Sequence, residues 1–249
     1  MMNRHRMIPV LLIDEHRRLV KTVRFDKRTY IGDPFNAIRL FNEKEVDEIC
    51  VLDIDASRQQ RGPDVGLIRE LASECFMPLA YGGGITELQQ CEQLMRMGVE
   101  KFVLGASATQ PALITALVQT VGSQAVVACV DVRGEGSNAH CTTHSGTRNT
   151  GHAPLELCKS LQDQGVGELI LQSIDRDGMR QGYDLELIHA IAPQLRVPVI
   201  ALGGAGELAH LIAGISAGAS AAASGSAFVF IGPLRAVLIT YPEPEQEPT

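Results

Sequence analysis

Two acidic residues in this 249-residue chain follow apolar segments that would hold their carboxylates partly out of water. Asp131 closes the run "AVVACVDV", and Asp177 lies in "DRDG" directly after the run "ELILQSI". A carboxylate that is partly removed from water has a raised pKa and is suited to proton transfer. We therefore predict acid–base chemistry at Asp131, whereas the Asp-Gly pair at Asp177 is also ordinary turn chemistry.

Other polar residues near the ends of apolar runs are candidates for binding substrate. Lys21 follows the first run, and its amine can meet a phosphate or a carbonyl group, although exposed lysines are common. Asp53 and Asp55 follow the second run, where capping or loop hydrogen bonds compete with catalysis as an explanation. Of these residues, Asp131 is the one we predict to be catalytic.

Glycine clusters also follow several apolar runs, including "GGG" and "GGAG". Glycine lets the backbone approach an anion closely, and the N–H groups of a following helix can hold a phosphate. The alternative is that these glycines only permit tight turns. One cluster in each half of the chain favours a substrate with a phosphate at each end. The predicted substrate- and phosphate-binding residues are Lys21, Gly82, Gly83, Gly84, Asp177, Gly178, Gly203, Gly204 and Ser226.

A second set of charged residues stands at the beginnings of apolar runs. Arg6, Glu48, Lys101 and Glu168 are two basic and two acidic residues in equivalent positions. Such charges usually face solvent or pair on the surface. The alternative is a salt-bridged ring that closes one mouth of a barrel, and the sequence leaves both readings open.

These residues need a scaffold that brings many strand ends to one face. Short apolar runs alternate with amphipathic segments of helical spacing such as "PDVGLIRELASE" and "PALITALVQTVG". This alternation predicts an α/β fold, the closed parallel (β/α)8 TIM barrel, in which the strand ends gather at the functional face. The eight predicted strands are "IPVLLI", "EICVLDI", "MPLAYGG", "KFVLGAS", "AVVACVDV", "ELILQSID", "VPVIALGG" and "ASAAASGS".

The sequence repeats itself at half its length. "GVEKFVLGASA" aligns with "GASAAASGSAF", and "VDEICVLDI" aligns with "VGELILQSI"; both lags are 120 (218 minus 98; 168 minus 48). The barrel is therefore predicted to consist of two half-barrel repeats. The same lag makes the first and fifth strands equivalent, which places Leu11 or Leu12 opposite Asp131.

The composition of the chain argues against several classes of function. Net charge is −7 with scattered basic residues, which argues against nucleic acid as a partner. Six widely spaced cysteines show no metal-ligand pattern, and no run approaches membrane-spanning length, so we expect a cytoplasmic protein without metal or cofactor. Residues 1–240 are predicted to form one barrel, and the acidic, proline-rich residues 241–249 a disordered tail.

Longer stretches carry a resemblance to a known family. They are "IPVLL" with "LVKTVRF", "GDP", "DEICVLDI", "GGGI", "GSQAVVACVD", "ILQSIDRDGMRQGYDLELI" and "VPVIALGGAG". Over nearly the whole chain they resemble the cyclase subunit of imidazole glycerol phosphate synthase, the HisF family of histidine biosynthesis. The "SIDRDG" stretch favours this family over the phosphoribosyl isomerase barrel of the same pathway.

The resemblance implies a lyase-type reaction within a glutamine amidotransferase complex. Ammonia from a HisH-like glutaminase subunit, docked at the N-terminal face of the barrel, would travel through the core. It would attack a bisphosphorylated ribulosyl aminoimidazole-carboxamide intermediate and give imidazole glycerol phosphate and an aminoimidazole carboxamide ribonucleotide. The family has a gate for ammonia made of four charged residues, which correspond here to Arg6, Glu48, Lys101 and Glu168. An acidic residue that contacts the glutaminase in the family corresponds to Glu100.

The resemblance also exposes departures on the opposite face. Two aspartates carry the acid–base work of the family; the second matches Asp131, but the first matches Leu12, which cannot transfer a proton. Asp14 would share the face of Leu12 if the strand continued. Hydroxyl or amide donors of the family's phosphate sites are replaced at Gly105, Ala106, Gln172 and Leu202.

The retained gate and the changed upper face allow three hypotheses of function. In the first, the chain is a paralogue that keeps the gate but passes ammonia to another acceptor, such as a sugar amidotransferase of surface-polysaccharide synthesis. Alternatively it is a competent cyclase that tolerates Leu12, or a barrel that binds partners without chemistry. The change at Leu12 and the missing phosphate donors favour the first, and retention of Asp131 argues against the last.

Overall fold

The computed structural model describes residues 5–232 and 234–242. Residues 243–249, most of the predicted tail, lie outside the described residues. Fourteen strands and seven α-helices are found in the described part of the chain. The strands are β1 (Arg6–Ile13), β2 (Leu19–Val23), β3 (Lys27–Gly32), β4 (Ile49–Asp53), β5 (Leu79–Gly82), β6 (Lys101–Leu104), β7 (Val126–Arg133), β8 (His140–Thr143), β9 (Arg148–Asn149), β10 (Glu168–Ser173), β11 (Val199–Leu202), β12 (Ala221–Ser224), β13 (Phe230–Ile231) and β14 (Ala236–Val237). The helices are α1 (Pro34–Glu43), α2 (Val65–Glu74), α3 (Leu88–Met95), α4 (Pro111–Val121), α5 (Pro154–Asp163), α6 (Leu185–Ile191) and α7 (Leu208–Ser216).

Eight parallel strands close into a barrel. Their order is β1, β4, β5, β6, β7, β10, β11 and β12, and the pairing of β12 with β1 closes the circle. All eight are strands that the apolar runs predict, so the (β/α)8 fold is confirmed. Their carboxyl ends form the upper face of the barrel, and their amino ends form the lower face.

In the described residues, a helix follows each of the eight parallel strands except β12, and these helices surround the barrel. Five of the seven match the amphipathic segments of the sequence, and α1 and α7 complete the set. Within the described residues β12 has no helix after it; β13 and β14 pair antiparallel there, and the backbone N–H groups of Leu238 and Thr240 donate to the carbonyl oxygens of Val229 and Phe228. The expectation of eight β-then-α units thus holds for seven. The segment "FVFIGPLRAVLITY" is rich in β-branched residues and has Gly-Pro at its centre, which disfavours a helix.

Two hairpins add strands to the upper face. The chain turns back after β1 into β2 and β3, and after β7 into β8 and β9. Leu12 pairs with Val20, and Asp131 pairs with Thr142, so the two hairpins occupy equivalent places in the two half-barrels. The repeat predicted from the lag of 120 residues therefore extends to these hairpins, which were not predicted from the sequence.

The barrel interior is apolar. Alternate residues of the strands point inward, as the two-residue period of a strand requires. The buried inward residues form one cluster, separate from the larger core between strands and helices: Ile8, Val10, Cys50, Ala80, Val103, Val127, Ile170, Ile200, Leu202, Ala221 and Ala223. A column of apolar side chains thus connects the lower face with the upper face.

The last described residues are packed on the barrel, which corrects the start of the predicted tail. The ring of Tyr241 stacks on Phe228 with 5.5 Å between ring centroids. Its hydroxyl oxygen lies 2.9 Å from the carbonyl oxygen of Met7 and 2.9 Å from Oδ2 of Asp47. The sequence places Tyr241 in a tail because the following residues are polar, but an aromatic ring with a hydroxyl suits a partly buried site with polar neighbours.

We expect Tyr241→Phe to lower the free energy of unfolding by about 1 kcal/mol, because the hydroxyl hydrogen bonds are lost while the ring still stacks. Urea unfolding followed by circular dichroism measures this change. Tyr30→Phe is the matched control, since Tyr30 is 61% exposed and should leave stability unchanged. Equal stability of the two variants would contradict the docking of Tyr241.

Candidate active site

A pocket opens at the upper face of the barrel, where the strand ends and both hairpins meet. It contains Asp131 together with Lys21 and Asp177, so three of the predicted polar residues come together. Leu12 and Leu52 lie in the same wall. The pocket therefore combines a small set of titratable groups with an apolar floor.

Asp131 extends from β7 into this pocket. Burial raises the pKa of its carboxyl to about 7, and the nearby Asp177 adds to the rise. The thiol of Cys129 lies 3.5 Å from Oδ1 and donates a hydrogen bond that partly opposes the rise. A carboxyl with a pKa near the working pH can both take and give a proton, which is the property required of an acid–base group.

Asp177 is held by the first hairpin. The hydroxyl of Thr22 donates a 2.6 Å hydrogen bond to its Oδ2, and the backbone N–H of Arg24 donates to its carbonyl oxygen. Burial raises the pKa of Asp177, while hydrogen bonds from the Thr22 hydroxyl and the Phe25 backbone N–H, and the charge of Lys21, oppose the rise. The loop that carries Asp177 is therefore fixed against the hairpin, and the side chain faces the pocket from the second half-barrel.

Lys21 lies in the pocket wall on β2. Its Nζ donates a 2.6 Å hydrogen bond to the carbonyl oxygen of Val10, and the residue is only 4% exposed. Burial lowers the pKa of its amine to about 7, and the charge of Asp177 opposes the fall. The sequence suggested that this lysine faces solvent as an alternative; the structure shows it buried.

The position equivalent to Asp131 is occupied by Leu12. Leu12 lies in β1 beside Leu52 of β4 and lines the pocket with an apolar side chain. Asp14 does not replace it, because β1 ends at Ile13 and the chain then turns. Both carboxylate oxygens of Asp14 are engaged in that turn, with Arg18 and with backbone N–H groups. The condition under which Asp14 would share the face of Leu12, a strand that continues past Ile13, is therefore not met.

Most of the predicted glycines reach the pocket. Gly82, Gly83, Gly178, Gly203, Gly204 and Ser226 line it. Gly84 does not, since its position faces the backbone of Arg61 instead. The backbone at Gly83 and Gly204 also requires glycine: both have positive φ, and an added Cβ would lie 2.4 Å from the Asp53 carbonyl oxygen or 2.1 Å from that of Gly182. The turn explanation and a phosphate-binding role are therefore compatible at these positions.

Gly105 and Ala106, which follow β6 in the first half-barrel, begin a short helical turn and line the pocket. Neither has a polar side chain. In the second half-barrel the hydroxyl of Ser224 accepts hydrogen bonds from the backbone N–H groups of Ser226 and Ala227. Those N–H groups are thus already satisfied within the turn.

The acidic residues after β4 have structural partners. Asp53 accepts hydrogen bonds from the backbone N–H groups of Asp55 and Ala56 and pairs with Arg61 at 2.8 Å. Asp55 pairs with Arg28 at 2.6 Å. Capping and loop hydrogen bonds, the alternative to catalysis for these residues, are what the structure shows.

Sequence reasoning missed part of the rim. Phe25 and Arg28 from the first hairpin, and His144 and Ser145 from the second, line the pocket. His144 and Ser145 both have positive φ, which is unusual for residues with side chains. The stretches "LVKTVRF" and "THSGTRNTG" follow the first and fifth strands, and their equivalent places in the repeat are the signal that could have identified them.

The lower mouth is closed by a four-membered ring of ion pairs. Arg6 contacts Glu48 at 2.6 Å and Glu168 at 2.7 Å, while Lys101 contacts Glu48 at 2.7 Å and Glu168 at 3.0 Å. Each charge thus has two opposite neighbours. The salt-bridged ring, one of the two readings left open by the sequence, is confirmed, and we call these residues the basal ring.

Other classes of site have no support in the part of the chain that the structure describes. There, no group of three or more His, Cys, Asp or Glu residues is placed to hold a metal ion. No helix of residues 5–232 and 234–242 is both long enough and apolar enough to cross a membrane.

Comparisons with known proteins agree with this architecture. The model of the family described as histidine biosynthesis protein matches residues 6–232. The chain is 49% identical over 245 residues, 97% of both chains, to a Pseudomonas aeruginosa protein provisionally named imidazole glycerol phosphate synthase subunit hisF2. It is 44% identical over 252 residues, 99% of this chain and 96% of the relative, to a Vibrio vulnificus protein provisionally named subunit hisF3. Identity is 39% over 231 residues, 90% of both chains, to imidazole glycerol phosphate synthase subunit HisF of Micrococcus luteus.

Proposed function

This chain belongs to the histidine biosynthesis protein family, as a HisF-like member, and we propose that it is the ammonia-receiving subunit of a glutamine amidotransferase complex. In this proposal ammonia from a HisH-like glutaminase enters at the basal ring and leaves at the upper pocket. The family reaction, formation of imidazole glycerol phosphate and aminoimidazole carboxamide ribonucleotide, is not its main task. The ammonia instead reaches another acceptor, such as the substrate of a sugar amidotransferase.

The observation that carries this proposal is the contrast between the two faces of the barrel. At the lower face all four charges of the basal ring are present and paired. At the upper face Leu12 occupies the position that is equivalent to Asp131 in the repeat and that is a catalytic aspartate in the family. Loss of one of two cooperating acid–base groups costs a factor of about 100 to 10,000 in rate. Natural selection for cyclase activity would not tolerate such a loss of rate, whereas a protein that only conducts ammonia does not need the acidic residue.

The interior suits passage of neutral ammonia. The side chains between the basal ring and the pocket are apolar, and several are as small as alanine, including Ala80, Ala221 and Ala223. An ammonium ion would lose its hydration in such a column at high cost, while neutral ammonia loses far less. The column therefore favours the neutral species, which is also the nucleophile that an amidotransferase uses.

The glutaminase is assigned to the lower face on the basis of charge and position. Glu100 is exposed directly before Lys101, so an acidic side chain lies beside the basal ring. A basic group on the partner could pair with it. Ammonia released there would meet the ring first, as the proposal requires.

The upper pocket supports a changed acceptor. Gly105 and Ala106 offer no side-chain donor to a phosphate, and Gln172 and Leu202 replace small hydroxyl residues of the family. Fewer donors mean weaker binding of a substrate with two phosphates. Identity is also higher to the hisF2 and hisF3 proteins, 49% and 44%, than to the Micrococcus luteus HisF, 39%.

A second candidate is a competent cyclase of histidine biosynthesis. Asp131 favours it, since its pKa of about 7 is matched to proton transfer, and Lys21 and Asp177 share its pocket. This candidate requires that one acid suffices. A barrel that binds partners without chemistry is the third candidate, and it gives no reason for these groups to be retained.

The test is an assay of the unmodified protein with the bisphosphorylated intermediate and ammonium salt at alkaline pH. We expect no more imidazole glycerol phosphate than from the Asp131→Asn variant, because proton transfer at Leu12 is absent. Size-exclusion chromatography should show a one-to-one complex with a HisH-like glutaminase. Ready turnover would overturn the proposal in favour of the cyclase, and absence of any complex would overturn the role as ammonia-receiving subunit.

A further inference from the structure

The amine of Lys21 has an unusual environment for a lysine. It is buried in the wall of the pocket, and its one hydrogen-bond acceptor is the neutral carbonyl oxygen of Val10. In residues 5–232 and 234–242 no carboxylate lies within ion-pair distance of it. A lysine buried without a paired negative charge tends to lose its proton and becomes a nucleophile.

Leu12 accounts for the missing charge. It lies on β1 two residues after Val10, whose carbonyl oxygen accepts the hydrogen bond from Nζ of Lys21, and both Leu12 and Lys21 line the pocket. An aspartate at position 12 would place a carboxylate next to this amine. The leucine instead adds apolar surface, which increases the cost of the charged form.

The other charged groups of the pocket do not replace that partner. Arg28 is bound to Asp55, and Asp53 is bound to Arg61. Arg58 adds a positive charge to the wall and cannot act as a counter-ion. The groups left to face Lys21 are Asp131, Asp177 and His144. Of these, Asp177 acts on the amine through its charge, and the pKa of Lys21 still falls to about 7.

Lys21 and Gly225 lie side by side in the pocket lining. A Cβ added to Gly225 would be only 2.9 Å from Nζ, so a side chain at position 225 would crowd the amine. Glycine at this position leaves the pocket side of the nitrogen uncovered by a side chain of residue 225. The phosphate-binding candidates Gly203, Gly204 and Ser226 line the same pocket.

We propose that Lys21 captures phosphorylated aldehydes or ketones as a Schiff base. The lone pair of the neutral amine adds to the carbonyl carbon, and a proton moves from the nitrogen to the former carbonyl oxygen, which becomes a hydroxyl. The carbon–oxygen bond of the resulting carbinolamine breaks, the oxygen takes a proton from the protonated carboxyl of Asp131 and leaves as water, and a carbon–nitrogen double bond forms. No oxidant or reductant is needed. This inference does not rest on ammonia delivery, so the cyclase assay and the capture experiment can fail independently.

The experiment uses the unmodified protein with glyceraldehyde 3-phosphate and sodium cyanoborohydride, which reduces a Schiff base to a stable amine. Proteolysis and mass spectrometry then compare Lys21 with Lys27, Lys44 and Lys159. At pH 7.5 an amine with a pKa of about 7 is mostly neutral, while one at 10.5 is about 0.1% neutral. We expect Lys21 to be labelled about a hundredfold faster than the other three. The labelling rate should rise with pH to a plateau, with its midpoint near 7.

Three controls separate capture from chance modification. Lys21→Met should abolish the dominant label without affecting labelling elsewhere. Leu12→Asp should slow labelling of Lys21 at least about tenfold at pH 7.5, because the new carboxylate stabilises the protonated amine, whereas Leu12→Asn should not. Glyceraldehyde without its phosphate should lose most of the preference for Lys21. Equal labelling of Lys21 and the other lysines, or no slowing in Leu12→Asp, would overturn the proposal.

Discussion

The variant Leu12→Asp is expected to gain cyclase activity, raising ammonium-dependent formation of imidazole glycerol phosphate by about 100- to 10,000-fold over the unmodified protein. The reason is geometric. Leu12 already lies in the pocket wall at the place equivalent to Asp131, and aspartate fits within the space of a leucine. The new carboxylate would supply the second proton-transfer group. Product formation followed over time under saturating ammonium measures the gain.

Two matched variants decide whether the gain comes from proton transfer. Leu12→Asn has nearly the same shape but cannot transfer a proton, so it should stay at the level of the unmodified protein. Leu12→Asp combined with Asp131→Asn should lose most of the gain, because both acids are needed together. If Leu12→Asn gains as much as Leu12→Asp, polarity rather than acid–base chemistry explains the effect. If neither gains, the upper pocket no longer binds the family substrate productively.

The variant Glu48→Gln is expected to lower the free energy of unfolding by about 2 to 3 kcal/mol. Glu48 is the most buried member of the basal ring, and its Oε2 contacts both Arg6 at 2.6 Å and Lys101 at 2.7 Å. Without its charge the two cations must share Glu168 alone. Removing one partner from a buried ionic network leaves uncompensated charge, although partial exposure of Arg6 reduces the cost. Urea unfolding with a fitted slope measures the change.

Glu100→Gln is the control for Glu48→Gln, because Glu100 is exposed and lies outside the ring. It should change stability by less than about 0.5 kcal/mol. A second readout tests the conduit: in the Leu12→Asp background, Glu48→Gln should reduce glutamine-dependent turnover with a bound glutaminase more than ammonium-dependent turnover. Equal loss in both assays would show that the ring serves stability alone.

Much of the barrel could be predicted because its signals are local. Each inner strand is a short apolar run that ends in glycine or an acidic residue, and buried parallel strands have this appearance. The repeat at a lag of 120 residues then placed Leu11 or Leu12 opposite Asp131, and the equivalent hairpin pairings select Leu12. The hairpins themselves were missed because "LVKTV" and "HCTT" mix polar and apolar residues in segments too short to show a clear period.

The features that could not be predicted depend on contacts between distant parts of the chain. Whether Arg6 and Lys101 face solvent or meet Glu48 and Glu168 is decided by how far strands are shifted around the barrel, and a sequence pattern does not contain that shift. The position of Asp14 also depends on the folded structure. Its spacing of two residues from Leu12 would put both side chains on one face of a continuing strand, but the chain turns after Ile13 and the Asp14 carboxylate binds Arg18 instead. Burial of Lys21 likewise results from packing of the hairpin over the pocket.

The pairing of β1 with β12 has a consequence for how the protein is made. The first strand of the barrel has two neighbours, β4 and β12, and β12 is the last of the eight parallel strands to be synthesised. During synthesis the first half-barrel therefore has an unpaired edge, which is a template for wrong pairing between nascent chains. Tyr241, whose hydroxyl contacts the backbone of Met7, joins the segment after β12 to β1. The order of translation thus makes the emergence of β12 the event that permits ring closure of the barrel.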